Sequence, residues 1–345
     1  MIDAPEASLT QTSQAYFLEV ISNATLTAIM SNAPNKQRST NNHKEELHRD
    51  MGDQPKTAYI TGGASGIGLA LSTHLLSKNY KVFIADRNTA GATHLADQHN
   101  TPNNTVLYYA TCDTSSWESQ LSVFQAALKA LGGRISCIFP IAGIGEKKWL
   151  PFPSESCKQP TDSFTKPDLS VIDVDLTGVL YTIALAIQHF RRQDLVVWGD
   201  RGSEDSYLLR GTIGLVASVC GFYCVPSLPI YTAAKHALIG LTRSYGALLW
   251  EEGIAVNAVA PNVVRTGISA EEFYHSLEKE SLLTPMDVLM EAFDVMLARA
   301  KSAVVYECGA KGWTVREGAE YLDEESGRCC DLLKERGRKL HYGLE

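Results

Sequence analysis

The sequence has no excess of positive charge. It contains 31 Lys and Arg residues against 39 Asp and Glu residues, a net charge of -8, and its basic residues form no block. Proteins that bind nucleic acid or anionic lipid through charge carry clustered Lys and Arg. We therefore expect neither nucleic acid nor a lipid surface among the partners.

Long apolar runs are also missing. A membrane-spanning helix needs about 20 consecutive, predominantly apolar residues, and the sequence contains no such run. Glu19 and Asn23 interrupt the apolar stretch at 15–30, and no basic region precedes it, which argues against a signal peptide. We predict no integral membrane segment and a cytoplasmic location.

The eight cysteines show no CxxC spacing. Neither a zinc site nor a disulfide-stapled small domain is indicated, so we expect buried or unreactive thiols and no metal.

Composition divides the chain into three parts. Residues 1–55 include a long polar stretch that could not repay the entropy of ordering, so we predict a disordered N-terminal extension. Met51, near its end, leaves a second possible start open. Residues 56–309 read as one dinucleotide-binding domain, and the charged tail at 310–345 is expected to form a surface helix.

Short apolar runs alternate with helical stretches throughout the middle part. Predicted strands lie at 57–61, 81–85, 105–110, 135–141, 213–218 and 254–259, and predicted helices at 66–79, 89–99, 115–131, 168–192 and 231–251. This alternation is typical of the α/β class, with right-handed crossovers between parallel strands. We therefore predict a single doubly wound, Rossmann-type parallel sheet with helices on both faces. The inserts at 151–168 and 199–211 are expected to be surface excursions.

The segment TGGASGIG joins the first strand to the first helix. Gly62, Gly66 and Gly68 lie at this turn, where free N–H groups and the helix dipole favour a phosphate, although glycines also serve ordinary tight turns. Asp86 ends the second strand, where a carboxylate suits the ribose hydroxyls of NAD and repels the 2′-phosphate of NADP. The alternative is a plain strand-end residue, and Arg87 would relax the preference for NAD.

These motifs resemble the short-chain dehydrogenase/reductase family over about residues 56–309. TGGASGIG matches the family's TGxxxGxG turn, Tyr231 and Lys235 form its YxxxK pair, and Ser218 lies thirteen residues before the tyrosine. Among members, the chain is similar to fungal alcohol dehydrogenases that resemble 15-hydroxyprostaglandin dehydrogenase. The resemblance implies further cofactor contacts from Ser65, Ile67, Asp113, Ala142, Gly143, Tyr231, Lys235 and Thr266.

The YxxxK pair has a chemical rationale. Residues four apart share one face of a helix, so the ammonium of Lys235 can stabilise the phenolate of Tyr231 and lower its pKa. Tyr231 would then exchange a proton with an alcohol while Ser218 holds the same oxygen. Taken alone, the pair would suit a solvated helix face.

Two positions depart from the family. Ile141 stands where members have an asparagine that supports the sheet, and Asp175 matches the family's catalytic asparagine. An aspartate keeps an oxygen acceptor but adds charge, and we expect it to position a water linked to Lys235. A plain polar role on the helix is the alternative.

We therefore predict an NAD-dependent oxidoreductase that interconverts a hydrophobic secondary alcohol and its ketone, with NADP less favoured. Segment 267–290 would be a mobile lid, and apolar residues would line the substrate site: Trp149, Phe222, Tyr223 and Val225. Two alternatives remain, a member that performs a non-redox cyclisation or isomerisation and a catalytically silent NAD(H)-binding scaffold. The expected partners are a small molecule and further copies, as a homodimer or homotetramer.

Overall fold

The computed structural model describes residues 56–156, 158, 163–198, 207–299 and 301–342. The extension at 1–55, predicted to be disordered, lies outside the described residues.

Ten strands lie within the described ranges. They are β1 (Thr57–Thr61), β2 (Lys81–Asp86), β3 (Leu107–Thr111), β4 (Cys137–Pro140), β5 (Val196–Trp198), β6 (Tyr207–Leu209), β7 (Gly211–Val216), β8 (Ile254–Pro261), β9 (Val305–Gly309) and β10 (Gly312–Val315).

The described residues also form ten α-helical segments: α1 (Gly66–Ser77), α2 (Ala90–His99), α3 (Trp117–Ala130), α4 (Pro153–Ser156), α5 (Ser170–Ile172), α6 (Val179–Phe190), α7 (Pro229–Leu249), α8 (Glu271–Lys279), α9 (Met286–Ala298) and α10 (Glu324–Tyr342). A π-helical turn at Asp173–Gly178 joins α5 to α6, and 3₁₀ turns lie at Val219–Gly221 and Trp250–Glu252.

Eight of the described strands form one sheet in the order β10-β9-β8-β7-β4-β1-β2-β3. All neighbouring pairs are parallel except β9 with β10. The chain leaves β1 in one direction toward β2 and β3 and returns to the other side for β4, so the topological switch point lies between β1 and β4. The predicted doubly wound Rossmann-type fold is confirmed.

Side chains from β1 explain why the sheet needs helices on both faces. Successive strand residues point to opposite sides, and here Ile60 packs with Leu71 of α1 and Phe293 of α9 in one buried cluster. Tyr59 packs with Phe124 of α3 and Ile183 of α6 in the other. Because every residue of β1 is buried, the strand reads as a continuous apolar run, as expected for a parallel strand.

The helix predicted at 168–192 is observed at Ser170–Phe190 and contains the π-helical turn. Among the described helices, the continuous stretch Ser170–Phe190 has the length and mean hydropathy, 1.7, of a membrane span. Half of it is buried, and the core helix of an α/β sheet passes the same test, so the finding is weak support for a membrane span.

Two predicted surface segments contribute to the core. Within the insert at 199–211, the described residues 207–211 form β6 and the start of β7, and Leu209 is buried with Trp198 of β5 in the same cluster as α1. Within the proposed lid at 267–290, Met286 begins α9, and Leu289 and Met290 are buried. Both predictions were too wide, because Leu209 packs in the core and residues 286–290 begin a helix with a buried apolar face.

The central sheet continues past Gly309, where the domain was predicted to end. Strand β10 pairs antiparallel with β9, with Trp313 opposite Cys308. Helix α10 then follows with no buried residue, and Arg338 of α10 pairs with Glu251 after α7.

Candidate active site

The candidate residues gather at the carboxyl ends of the parallel strands. The turn after β1 carries Gly62, Gly66 and Gly68; Asp86 ends β2; Asp113 follows β3; Ala142 and Gly143 follow β4; Ser218 follows β7; and Thr266 follows β8. Carboxyl ends of parallel strands meet at one edge of the sheet, and the crevice at the switch point is where such folds bind ligands. Topology alone therefore brings these scattered residues together.

The glycines of the first turn are required by close approaches. Gly62 has a φ of +69°, and a side chain there would meet the backbone of Ala142 at 2.6 Å. Gly66 has a φ of +50° and faces the Thr266 side chain. A side chain at this position would place its Cβ 3.0 Å from the Thr266 Cβ. Gly68 packs against the backbone of Gly62. The segments that follow β1, β4 and β8 thus meet at this turn.

The start of α1 retains free donors. Ser65 precedes the helix, and its side chain makes no capping hydrogen bond. Ile67, in the first turn, is half-buried against the core. The first N–H groups of a helix have no partner within the helix, and the helix dipole adds positive potential at the same place. The turn therefore fits a pyrophosphate, as the glycine pattern predicts.

Asp86 has a structural contact besides its predicted role. Its Oδ2 accepts a hydrogen bond from the Ala64 N–H at 3.0 Å, and its Oδ1 accepts one from the Asn88 N–H at 3.0 Å. Each carboxylate oxygen has two lone pairs, so both can still accept from a ribose hydroxyl. The residue ties the end of β2 to the glycine turn.

Asp113 lies exposed beyond β3, on the strand next to β2. Its carboxylate accepts hydrogen bonds from the Ser115 hydroxyl at 2.7 Å and the Ser115 N–H at 3.0 Å. These bonds, and the nearby Arg87 to a lesser degree, lower the pKa of Asp113. A negative charge is therefore held at the adenine side of the predicted cofactor site.

Tyr231 and Lys235 occupy one face of the first turns of α7. The Lys235 ammonium lies 5.2 Å from the centre of the Tyr231 ring, donates to the Val216 carbonyl at 3.4 Å, and is buried with the side chain 6% exposed. Ser218 follows β7; its hydroxyl donates to the Pro261 carbonyl at 3.4 Å, accepts from the Cys220 N–H at 3.2 Å, and lies near enough to the Tyr231 phenol to lower its pKa. The structure brings the three predicted catalytic side chains together.

Asp175 is fully buried and contacts Lys235 directly. Its Oδ2 lies 3.3 Å from the Lys235 Nζ, and its Oδ1 accepts a hydrogen bond from the Ile144 N–H at 2.8 Å. The sequence predicts that Asp175 positions a water linked to Lys235, and the structure places the carboxylate in direct contact with the Lys235 ammonium. Burial raises the pKa of Asp175, and the Lys235 charge and the Ile144 N–H oppose that shift.

The π-helical turn aims Asp175 inward, and a buried glutamine holds the turn. Gln120 of α3 donates to the Thr114 and Gly178 carbonyls at 2.6 and 2.7 Å and accepts from the Thr182 hydroxyl at 2.7 Å. The Gly178 carbonyl also accepts a hydrogen bond from the Thr182 hydroxyl at 3.1 Å. Gln120 and Thr182 together thus hold the end of the π-helical turn.

The Tyr231 phenol is subject to opposing influences. Burial raises its pKa, the Lys235 charge lowers it, the Asp175 charge raises it, and the Ser218 hydrogen bond lowers it. Burial outweighs Lys235, so the pKa of Tyr231 stands above its ordinary value. In this arrangement the neutral phenol is favoured and is suited to donate a proton.

Ile141, the other departure from the family, keeps its place in the sheet. Its N–H donates to the Thr61 carbonyl at 3.1 Å, which continues the β1–β4 ladder, and its side chain packs against the core. Backbone pairing and apolar packing thus hold Ile141 at the end of β4.

The segment after β8 is fastened by a buried tyrosine. The Tyr274 hydroxyl of α8 accepts hydrogen bonds from the Ser269 N–H at 3.1 Å and the Thr266 N–H at 3.4 Å. Helix α8 thereby sets the position of Thr266 beside Gly66.

The predicted apolar substrate residues are only partly available to a substrate. The Tyr223 hydroxyl donates to Glu307 at 2.9 Å, and the Arg316 guanidinium lies over the Phe222 ring. Both side chains are therefore engaged with the β9–β10 end of the sheet.

Glu146 is a further residue of the site, and its contact with Tyr231 was not predicted from the sequence. This residue follows β4, and its carboxylate accepts hydrogen bonds from the Tyr231 N–H at 2.6 Å and the Ile230 N–H at 3.3 Å. Pro229 at the start of α7 and the absence of a capping side chain at Leu228 indicate that the helix needs a cap from elsewhere. The sequence does not say which acceptor supplies it.

The fold and this edge define a dinucleotide-binding protein of the Rossmann type. The family model described as short chain dehydrogenase matches residues 56–276, more than half of the chain. The chain belongs to the short-chain dehydrogenase/reductase family of oxidoreductases, whose members use NAD(H) or NADP(H) and act on small molecules.

Known relatives share about a third of the matched sequence. The chain is 32% identical over 218 residues to the short-chain dehydrogenase/reductase ATR7 of Stachybotrys chlorohalonatus, covering 63% of this chain and 58% of that protein. It is 29% identical over 212 residues to the NADP-dependent dehydrogenase M3 of a Phoma species, covering 61% and 59%. The chain thus matches less than two thirds of the length of either relative.

A solved structure agrees in fold. The 3-ketoacyl-(acyl-carrier-protein) reductase of Brucella melitensis, complexed with NADH, has a TM-score of 0.57 to this chain. The match is 24% identical and covers 74% of this chain and 97% of the reductase. At this identity the match supports the Rossmann-type architecture.

Proposed function

We propose that the protein is an NAD-dependent oxidoreductase that interconverts a hydrophobic secondary alcohol and its ketone. The observation that carries the proposal is the convergence of Ser218, Tyr231 and Lys235 at the same sheet edge as the glycine turn after β1. The family's activity requires a proton-transfer group beside the nicotinamide, and Tyr231 is the candidate.

Several groups would hold the cofactor. The N–H groups at the start of α1 would bind the pyrophosphate, Asp86 would accept from the adenosine ribose, and Asp113 would contact the adenine. Ala142 lies against Gly62 and Thr266 against Gly66, so Ala142, Gly143 and Thr266 would hold the nicotinamide side. When bound, the nicotinamide ring supplies the hydride acceptor or donor.

The chain's own residues would manage the proton and the substrate oxygen. The Ser218 hydroxyl donates a hydrogen bond to that oxygen and fixes its position. In reduction, the Tyr231 phenol gives its proton to the oxygen as the carbon receives the hydride; in oxidation, the phenolate takes the proton back. Lys235 stabilises the phenolate by charge, and Asp175 holds the Lys235 ammonium.

The proposal favours NAD over NADP. A 2′-phosphate at the ribose site would approach the Asp86 carboxylate, which its two backbone hydrogen bonds hold in place. Arg87 is exposed beside it and offers a partial counter-charge. The relative named as NADP-dependent shows that the preference needs a direct test.

The test is a screen of the purified protein with NAD or NADP and a panel of secondary alcohols, read by the absorbance of reduced cofactor. The reverse reaction uses NADH or NADPH with the matching ketones. Turnover with NAD and an apolar secondary alcohol supports the proposal. Tight NADH binding with no turnover in either direction contradicts it.

The buried carboxylate of Asp175 favours one second candidate, a non-redox isomerisation or cyclisation within the same fold. A carboxylate offers a proton acceptor that the family's asparagine lacks. Substrate conversion without any change in cofactor absorbance would support this alternative. Assembly as a homodimer or homotetramer and a cytoplasmic location are further proposals that follow from family membership.

A further inference from the structure

Only some of the backbone N–H groups at the start of α7 have a hydrogen-bond acceptor nearby in sequence. The first N–H groups of any helix lack partners within the helix and must find them elsewhere. In α7, the Leu228 N–H bonds to the Val225 carbonyl at 2.9 Å, and Pro229 has no N–H. Thr232 donates the first intrahelical bond, to the Leu228 carbonyl at 2.8 Å. Two donors therefore remain, those of Ile230 and Tyr231.

Glu146 takes both donors. Its two carboxylate oxygens accept from the Tyr231 N–H at 2.6 Å and the Ile230 N–H at 3.3 Å. The residue lies 84 positions away in sequence from Ile230, so the cap is a tertiary contact rather than a local one. A carboxylate at a helix N-terminus is also favoured by the helix dipole.

The loop that carries Glu146 is itself anchored to the catalytic set. Two residues earlier, the Ile144 N–H donates to the Asp175 Oδ1 at 2.8 Å, and the Asp175 Oδ2 pairs with Lys235. The loop after β4 thus links the ion pair on one side to the backbone of Tyr231 on the other. Glu146 of this loop holds the backbone of Tyr231, and Ile144 of the same loop holds Asp175, which pairs with Lys235.

We propose that Glu146 is a positioning residue, which fixes the backbone at Tyr231 and so places the phenol hydroxyl for proton transfer. The proposal rests on the function proposed above for Tyr231. A displacement of a reacting group by about 1 Å can slow an enzyme about 10²-fold. Loss of the cap therefore lowers kcat, while the cofactor groups at β1, β2 and β3 stay in place.

The experiment compares three variants with the wild-type protein. Glu146→Ala removes both acceptors. Glu146→Gln keeps one acceptor oxygen for the Tyr231 N–H. Asp323→Ala is the matched control, because Asp323 caps the Ser326 N–H of α10 at 2.8 Å, and α10 carries no residue of the candidate site.

The readouts are kcat with the best alcohol of the screen, the Kd for NADH, and hydrogen exchange of peptides that cover residues 228–235. We expect Glu146→Ala to lower kcat about tenfold or more, with the Kd for NADH within about threefold of the wild type, since only backbone placement changes. Exchange at the first turn of α7 rises. Glu146→Gln recovers kcat to within about threefold of the wild type, and Asp323→Ala leaves kcat and exchange at α7 unchanged.

The proposal is overturned if Glu146→Ala keeps kcat within about twofold of the wild type, or if Glu146→Gln loses as much activity as Glu146→Ala. A fall in kcat that the Asp323→Ala control shares also overturns it, because the effect then reflects general stability. If the wild-type protein turns over no substrate, the proposed function fails, and unchanged exchange at residues 228–235 in Glu146→Ala separately overturns the cap.

Discussion

At the residue scale, the buried contact between Asp175 and Lys235 is the main feature of the candidate site. The sequence identified the position but not its geometry, because the reach of an aspartate depends on the backbone that carries it. The π-helical turn brings Oδ2 to 3.3 Å from the Lys235 Nζ and buries the carboxylate completely. Removing one partner of a buried ion pair leaves the other charge unpaired, which lowers the free energy of unfolding by about 3–5 kcal/mol.

The Asp175 charge has a predictable effect on pH dependence. It raises the pKa of Tyr231, so Asp175→Asn should lower that pKa. Because oxidation needs the phenolate, its rate should rise at a lower pH in Asp175→Asn than in the wild type. The maximal rate of the variant should stay within about tenfold, since the amide keeps the acceptor for the Ile144 N–H. Asp175→Ala should slow turnover about 10²-fold.

The measurement is kcat for alcohol oxidation between about pH 6 and pH 10 with saturating NAD. An unshifted profile in Asp175→Asn would show that the carboxylate does not act on Tyr231. Complete loss of activity in Asp175→Asn, with the protein still folded, would assign the carboxylate a chemical role and favour the non-redox alternative.

A second prediction at this scale concerns Asp86. NAD should bind more tightly than NADP by about 1–3 kcal/mol, because the 2′-phosphate would approach a fixed carboxylate. Asp86→Asn should narrow the difference, since its amide oxygen still accepts from the Ala64 N–H while the charge is lost. Titration of wild type and variant with both dinucleotides measures this. Equal affinities in the wild type would refute the assignment of Asp86.

Residue types and spacing predicted which side chains meet, but not all of their contacts. Ser218, Tyr231 and Lys235 were identifiable because their order and spacing resemble the catalytic set of the family. Glu146 was not, because its partners lie on α7, far away in sequence. The hydrogen bond from the Ala64 N–H to Asp86 was missed for the same reason. Contacts of a side chain with backbone N–H groups far away in sequence cannot be assigned from residue type.

At the scale of elements, the strand and helix pattern predicted the sheet because buried parallel strands read as apolar runs. The errors came at segments that combine polar and apolar residues. Leu209 in the 199–211 insert is buried although Leu208 beside it is exposed, and Leu289 in the proposed lid is buried with Met290 at the start of α9. Periodicity over so few residues does not distinguish a core segment from a loop.

The π-helical turn gives the prediction for this scale. Gln120→Leu would remove the hydrogen bonds that Gln120 donates to the Thr114 and Gly178 carbonyls, while Gly178 would keep the bond from the Thr182 hydroxyl, so we expect a loss of about 1–3 kcal/mol in the free energy of unfolding. Gln188→Leu is the control, because Gln188 is an exposed glutamine whose amide bonds only within α6. It should change stability by less than about 0.5 kcal/mol. Denaturant unfolding compares the two, and equal effects would show that Gln120 does not support the turn.

At the scale of the whole molecule, the polar composition of residues 1–50 predicts that they do not belong to the core. A chain beginning at Met51 should therefore keep its Tm within a few degrees of the full chain and keep its kcat. Thermal unfolding and the alcohol assay on both proteins test this. A large fall in Tm would mean that the extension packs against the domain.

The proposed reaction depends on a single proton-transfer group at the sheet edge, Tyr231. Tyr231→Phe removes the hydroxyl and keeps the ring beside Lys235, so the site retains its shape. The most direct test measures kcat and NADH affinity of this variant beside the wild type, with the best alcohol and ketone of the screen. We predict that turnover falls by at least about 10³-fold while the Kd for NADH changes less than about threefold. Turnover within about tenfold of the wild type would show that another group carries the proton and would contradict the account.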